Sequence, residues 1–305
     1  MSVIRVGGPV APGLADADGG QVHGETRRWI GVREFLGSGQ ARVGIGFVVL
    51  MALFCFLGPV FYHTNQVAVN LNLKDLEPSR QHLLGTDDYG FDVIGRLMRG
   101  GQASFGLGFA VAGVTTVVGT LYGAISGIVG GWIDGLMMRL IDTFLAIPSL
   151  VLLLILVNIY TPTLLSIIFI LSMLSWLGIA RLVRGEVLSL RTRDYVLAAK
   201  TMGGGTGRIM WRHMVPNAIG VIVVNATFSI ADAITALSTL SFLGLGMPPP
   251  YADWGTQLTN GLNDLFDGYW WLVYPPAILL IGTIIAFSLI GDAVRDSLDV
   301  RLRRR

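Results

Sequence analysis

The 305-residue chain is 52% hydrophobic but only 14% charged, with a formal net charge of +2. Soluble domains carry about 25% charged residues, so this chain has too little charge to clothe a water-facing surface, and a soluble globular class is set aside. A slight basic excess spread over loops between apolar runs is a topology signal, and it implies no nucleic-acid partner.

Residues 1–26 are rich in Gly, Ala and Asp without apolar periodicity and read as a mobile tail within a cytoplasmic segment 1–42. No cleavable leader is evident there, and the first span would serve as the insertion signal. Uncharged runs follow at residues 43–62, 100–133, 143–180, 214–231, 233–252 and 268–291. A bilayer core of ~30 Å needs about 20 helical residues, which each run approaches or exceeds. The run 143–180 is too long for one crossing and breaks at Asn158–Pro162, where Asn, Thr and Pro suit a turn. The expectation is an all-α polytopic membrane protein with a transmembrane domain over 43–291. Its six helices fall near 43–62, 104–131, 136–158, 163–183, 217–243 and 272–291, ahead of a basic tail at 292–305.

Of the 22 basic residues, 18 fall on one side of this arrangement, against Lys74, Arg80, Arg96 and Arg99 on the other. The richer side includes Arg5, Arg27, Arg28, Arg33 and Arg42 before the first span, and Arg295, Arg301, Arg303, Arg304 and Arg305 after the last. The positive-inside rule therefore places both termini, and the loop at about 184–216, in the cytoplasm.

Within span two, Gly119, Gly123, Gly127 and Gly131 recur every four residues and share one helix face. Such a face lets a neighbouring backbone approach closely, either in another subunit or within the chain. Two intramembrane carboxylates stand out because charge in a bilayer is costly. Asp142 lies three residues after Arg139 and can pair with it along one face. Asp232, mid-span in helix five, either lines an aqueous path or binds a neighbouring helix's backbone.

No catalytic constellation is evident. His23, His63, His82 and His213 lack metal-helix spacing, and there is no nucleophile elbow. Neither Lys74 nor Lys200 completes a phosphate-binding loop, so the glycines at 203–207 read as a hinge. The single cysteine, Cys55, permits no intrachain disulfide. The expectation is a non-enzyme with no cofactor or metal of its own; if ATP drives it, another chain binds the nucleotide.

The loop before span five predicts two short helices. The first opens near Asp194 and ends at the glycines; the second covers 208–214, and Pro216 fits the first turn of span five. The stretch Arg193 to Pro216 resembles the EAA loop of binding-protein-dependent ABC importer permeases: E-A-A, three residues, G, nine residues, I-x-L-P. Ala198, Ala199, Gly203 and Pro216 stand at matching positions, while Leu197, His213 and Val215 replace the motif's Glu, Ile and Leu.

Further segments are similar to the dipeptide/oligopeptide/nickel branch of that family. They are Leu84 to Asp92 (with Phe91 in place of Arg), Leu240 to Gly246 with Pro248, Pro249, Trp254 and Gly255, and Leu289 to Asp299. The resemblance implies half of a translocation pathway in a bacterial-type cytoplasmic membrane. It also implies a second homologous permease, two ATP-binding subunits that carry ATP and Mg, and an extracytoplasmic solute-binding protein.

The expected ATPase-coupling residues are Tyr195, Ala198, Ala199, Gly203 and Pro216, with Pro148 in span three as a flexible point. Peptides are the expected cargo, with nickel and glutathione as minority cargoes of the branch. An ion-coupled carrier using Asp232 is the alternative. Trp254 reads either as a receptor-side contact or as part of an interfacial aromatic belt, and Tyr269, Trp270 and Trp271 read as that belt.

Overall fold

The computed structural model describes residues 35–303, apart from 65, 67, 161 and 249. The expected tail at 1–26, Arg5, Arg27, Arg28, Arg33, Arg304 and Arg305, and the side chains of Asp299, Arg301 and Arg303, lie outside the described residues. We number the helices α1 Gly39–Phe61, α2 Val93–Val129, α3 Gly131–Leu145, α4 Ser149–Ile159, α5 Leu164–Arg191, α6 Asp194–Thr201, α7 Thr206–Leu245, α8 Trp254–Asp264 and α9 Tyr274–Arg303. No strand occurs among the described residues; Thr86 and Asp92 form an isolated bridge.

Helix starts follow local chemistry. Ser38 Oγ accepts the Ala41 amide at 3.1 Å to open α1. Asp92 Oδ1 accepts the Gly95 amide at 3.0 Å to open α2. Thr163 and Ser166 form a reciprocal capping box before α5. At 37 residues α2 is about 55 Å long, so its ends project beyond the bilayer core. It stops where Gly130 and Gly131 adopt φ of +67° and +63°, a left-handed pair that reverses the chain into α3. Gly131 is thus a turn residue rather than the fourth member of the glycine face.

Span three is not continuous. The axes of α3 and α4 differ by 80° across Ala146 to Pro148, because Pro148 has no amide to donate and restricts the residue before it. Five helices are long and apolar enough to cross a membrane, and the bent pair makes the sixth if it counts as one span. The second short helix of the loop is not separate from span five either. From Thr206 the chain runs as one helix to Leu243, passing Pro216 through a widened turn at Met210–Met214, and kinks at Gly244, whose φ is +78°. There the Val215 amide donates to the Met210 carbonyl, which accommodates the proline's missing N–H.

The core is built on α2, and its glycine face meets α5 of the same chain. A Cβ on Gly119 would stand 2.8 Å from Ile179 Cβ, and one on Gly127 would stand 2.8 Å from Val187 Cγ1. A Cβ on Gly123 would run into the Ala180 carbonyl oxygen. On another face Gly108 admits Ile230 and Ile234 of α7. Helix α9 packs between α1 and α7, with Gly44 under the Ala286 carbonyl and Gly291 under Phe228.

The C-terminal ends of α2 and α5 and the start of α3 are tied by charge. Arg184 donates through Nε (2.7 Å) and Nη2 (2.6 Å) to the two carboxylate oxygens of Asp134, and Ser126 Oγ donates to Oδ1. Asp142 pairs with Arg181 of α5, not with Arg139 as its sequence spacing suggested. Packing of α3 on α5 turns its acidic side toward the α5 arginines, and this tertiary contact overrides the local pair.

Candidate functional site

Helix α6 is an outlying element held by few contacts. Asp194 lies in its first turn and Lys200 in its last, each favourable to the helix dipole. Its end is a Schellman motif: the Gly204 amide donates to the Ala199 carbonyl at 3.0 Å, and the Gly203 amide to Lys200 at 3.1 Å. Gly203 carries the left-handed φ of +83° that this closure needs, so the expected hinge is a helix stop.

Only Val196, 3% exposed, and the half-buried Ala199 turn inward, onto a cluster with Val187, Leu190, Ile209 and Met210. Tyr195, Leu197, Ala198 and Met202 turn outward, and Trp211 at the start of α7 is also exposed. Of the five expected coupling residues, Tyr195 and Ala198 face out, Ala199 and Gly203 hold the helix in place, and Pro216 is exposed on α7. Leu197, noted in the sequence only for replacing the motif's Glu, and Met202 join the outward surface. Large apolar side chains in a charged loop were the available signal.

The opposite end assembles the segments 84–92 and 240–255. Asp87 Oδ1 accepts the amides of Tyr89 (3.0 Å) and Phe91 (2.8 Å). Asp92 Oδ2 accepts from Tyr62 Oη at 2.8 Å and meets His82 Nδ1 at 2.9 Å. The Tyr62 hydroxyl is pushed up to about 12, by burial first and then by its bond to the Asp92 carboxylate.

Phe91, which replaces the motif's arginine, is buried with the Arg96 guanidinium 4.5 Å above its ring. Arg96 Nη1 donates to the Pro250 carbonyl at 2.7 Å, and Gln257 Nε2 donates to the Arg96 carbonyl at 2.9 Å. These bonds fasten the 246–253 loop and α8 to the start of α2. Two expectations fail here. Trp254 is 0% exposed, its Nε1 donating to the Leu97 carbonyl at 2.9 Å and its indole edge-on to Phe105. It is therefore a packing residue and presents no surface to a receptor. Trp271 is likewise buried, whereas Trp270 is exposed and Tyr269 half-buried.

A pocket between these segments is lined by Asp87, Asp88, Arg96, Gln257, Asn260 and Asp264. Burial, and then the neighbouring charges of Asp87 and Asp264, raise the Asp88 carboxyl to about 6. Burial also raises Asp87 and Asp264. A carboxyl with a raised folded-state value holds its proton more tightly in the folded than in the unfolded chain. Its contribution is full below the unfolded value and is lost as pH rises through the folded one. Thermal stability should therefore fall from about pH 4 to about pH 7, and Asp88→Asn should flatten that slope in a detergent melting series. An unchanged slope would remove Asp88 as its source.

Asp232 lies on an exposed face of α7, while Gly119, Gly123 and Gly127 are used for packing within the chain. Among the described residues no group of three or more His, Cys, Asp or Glu is placed to hold a metal ion.

Comparison with known proteins places this architecture. Residues 119–304 match the family described as binding-protein-dependent transport system inner membrane component. The chain is 39% identical over 264 residues to the oligopeptide transport system permease protein OppC of Bacillus subtilis, covering 87% of this chain and 86% of that protein. It is 38% identical over 264 residues to the dipeptide transport system permease protein DppC of the same organism, at 87% and 82% coverage. It is also 36% identical over 252 residues to the probable D,D-dipeptide transport system permease protein DdpC of Escherichia coli, at 83% and 84% coverage. A six-segment apolar helical body, a short outlying helix before the last long spans and these matches converge: the chain belongs to the binding-protein-dependent inner-membrane component family and is a multi-pass permease subunit of an ABC importer.

Proposed function

We propose that this permease imports di- or oligopeptides as one of two homologous membrane subunits, fed by an extracytoplasmic solute-binding protein and driven by two ATP-binding subunits. The cargo follows the names of the relatives. The coupling assignment rests on one observation: α6 is pinned by Val196 while Tyr195, Leu197, Ala198 and Met202 project from it.

A short helix so presented suits insertion into a groove, since small Ala198 permits close approach and the large apolar residues around it supply area to bury. ATP-driven closure of the ATPases would then move α6 and, through the long helix that begins at Thr206, the membrane body. Because ligands on both sides bias one two-state element, receptor and nucleotide would act on the same equilibrium. Both termini and α6 lie on the cytoplasmic side in this reading.

Tagged protein extracted from native membranes in mild detergent should bring down a second permease and Walker-type ATPases, identified by mass spectrometry. A chain that purifies alone, even after cross-linking through a cysteine introduced by Ala198→Cys, would overturn the assignment.

A further inference from the structure

The outer half of α7 carries a polar face that the chain's own packing does not use. Ile230, Ala231, Ala233, Ile234 and Leu237 are buried, with Ile230 and Ile234 directed at Gly108 of α2. Asp232 and Thr235 are exposed and Thr239 is half-buried, at the i, i+3, i+7 spacing of one helix face; Ser229 extends the row inward. The row from 229 to 239 runs about 15 Å along the axis.

Each hydroxyl in it has already given away its proton. Ser229 Oγ donates to the Asn225 carbonyl, Thr235 Oγ1 to Ala231 and Thr239 Oγ1 to Thr235, all at 2.8 Å. What remains outward is acceptor lone pairs and one carboxylate. Asp232 has no hydrogen-bond or ion-pair partner among the described residues.

Lipid is a poor occupant for such a face. An unpaired carboxylate in hydrocarbon is costly, and intramembrane carboxylates belong on a water-filled path or against a partner. An acceptor-only surface selects a ligand made of donors. An ammonium group has three donors and no acceptor.

We infer that Asp232, flanked by Thr235 and Thr239, lines the translocation path and holds the α-ammonium of the peptide during passage. This rests on the peptide reading above and adds the chemical group that is recognised. A second permease's basic residue, set against Asp232 as a fixed ion pair, is the competing occupant.

The test uses the intact transporter reconstituted with its receptor and ATPases, and compares a tripeptide with its N-acetyl form. Asp232→Asn should slow uptake of the free-amino tripeptide by about tenfold, the scale of one lost charge-assisted hydrogen bond. It should leave N-acetyl peptide uptake and subunit copurification unchanged, and Asp232→Glu should retain most of the rate. In a Cys55→Ala background, Asp232→Cys should react with a membrane-impermeant thiosulfonate in at least one nucleotide state, and the free-amino tripeptide should slow that reaction.

Equal loss for both peptides, or no loss for either, overturns the inference. So does an Asp232→Cys variant whose new thiol never reacts, the result expected of a fixed inter-subunit ion pair. If the wild-type complex imports neither peptide, the cargo reading itself falls and the ammonium assignment falls with it. That result is distinct from a wild type that imports peptide while Asp232→Asn matches it.

Discussion

Gly123→Ala should lower the melting temperature of the detergent-purified chain by several degrees, and Gly123→Leu should abolish its recovery as a folded, monodisperse species. The added methyl of the alanine variant meets backbone rather than a side chain that could rotate away. It would collide with the Ala180 carbonyl oxygen and stand 3.0 Å from the Arg184 amide nitrogen. Overpacking a tight contact costs roughly 1–3 kcal/mol, and a rigid helix backbone on the far side leaves little room for relief. Separating α2 from α5 also works against the Arg184–Asp134 pair, whose breakage would leave a half-buried guanidinium beside a buried carboxylate. Loss of one partner from a buried pair costs several kcal/mol. Gly113→Ala is the control, since a Cβ there meets nothing within 4 Å and alanine favours the helix by up to about 1 kcal/mol. If Gly123→Ala and Gly113→Ala melt alike, the glycine face is not what sets the α2–α5 distance.

That face shows how far the sequence carries and where it stops. Spacing alone put Gly119, Gly123 and Gly127 on one side of a helix, but periodicity cannot say which partner comes close. The α5 backbone of the same chain is a tertiary fact. Helix count was legible because the bilayer fixes span length, whereas boundaries were not. The helix α2 begins at Val93, eleven residues before the expected 104, because it continues out of the membrane, where apolar content no longer marks it.

The break at Pro148 was readable as a flexible point, yet its 80° angle depends on what the flanking helices pack against. Trp254 is the clearest failure. An aromatic residue in an outer loop reads as surface, and only the close approach of Gly100 and Gly101 shows the slot that receives its indole. Arg96 was counted as an outer-side basic residue, and its guanidinium joins the start of α2 to the Pro250 carbonyl 154 residues on. The short helix α6 was the most legible local element, since a helix that ends on glycine at a fixed distance from alanines is a local pattern.

Ala198→Glu should reduce receptor- and peptide-stimulated ATP hydrolysis by the reconstituted complex about 30-fold, with uptake falling to background. Truncating or blocking a central contact of an interface costs about 2 kcal/mol or more, and a buried carboxylate without a partner adds to that. The fold should survive, because Ala198 is exposed and makes no contribution to the cluster beneath α6. Melting temperature and yield in detergent should therefore match wild type while the ATPase subunits dissociate on size exclusion.

Ala199→Glu separates the two sides of the helix. That residue packs against the inner cluster, so the variant should lose stability as well as coupling. Leu197→Glu restores the motif's acidic residue at a position that is 48% exposed. It should leave the fold and the coupling in place if, as proposed, α6 docks by shape and apolar area rather than by that carboxylate. Gly203→Ala sits between these cases. Its φ of +83° would be imposed on a residue with a Cβ at a cost of about 1–2 kcal/mol, loosening the helix end without adding charge to the interface. A graded loss of coupling, small at 203 and nearly complete at 198, is the signature of a rigid helix seated in a partner's groove. If Ala198→Glu couples normally while Ala199→Glu alone fails, α6 is a structural strap of the permease, and the ATPases engage another surface.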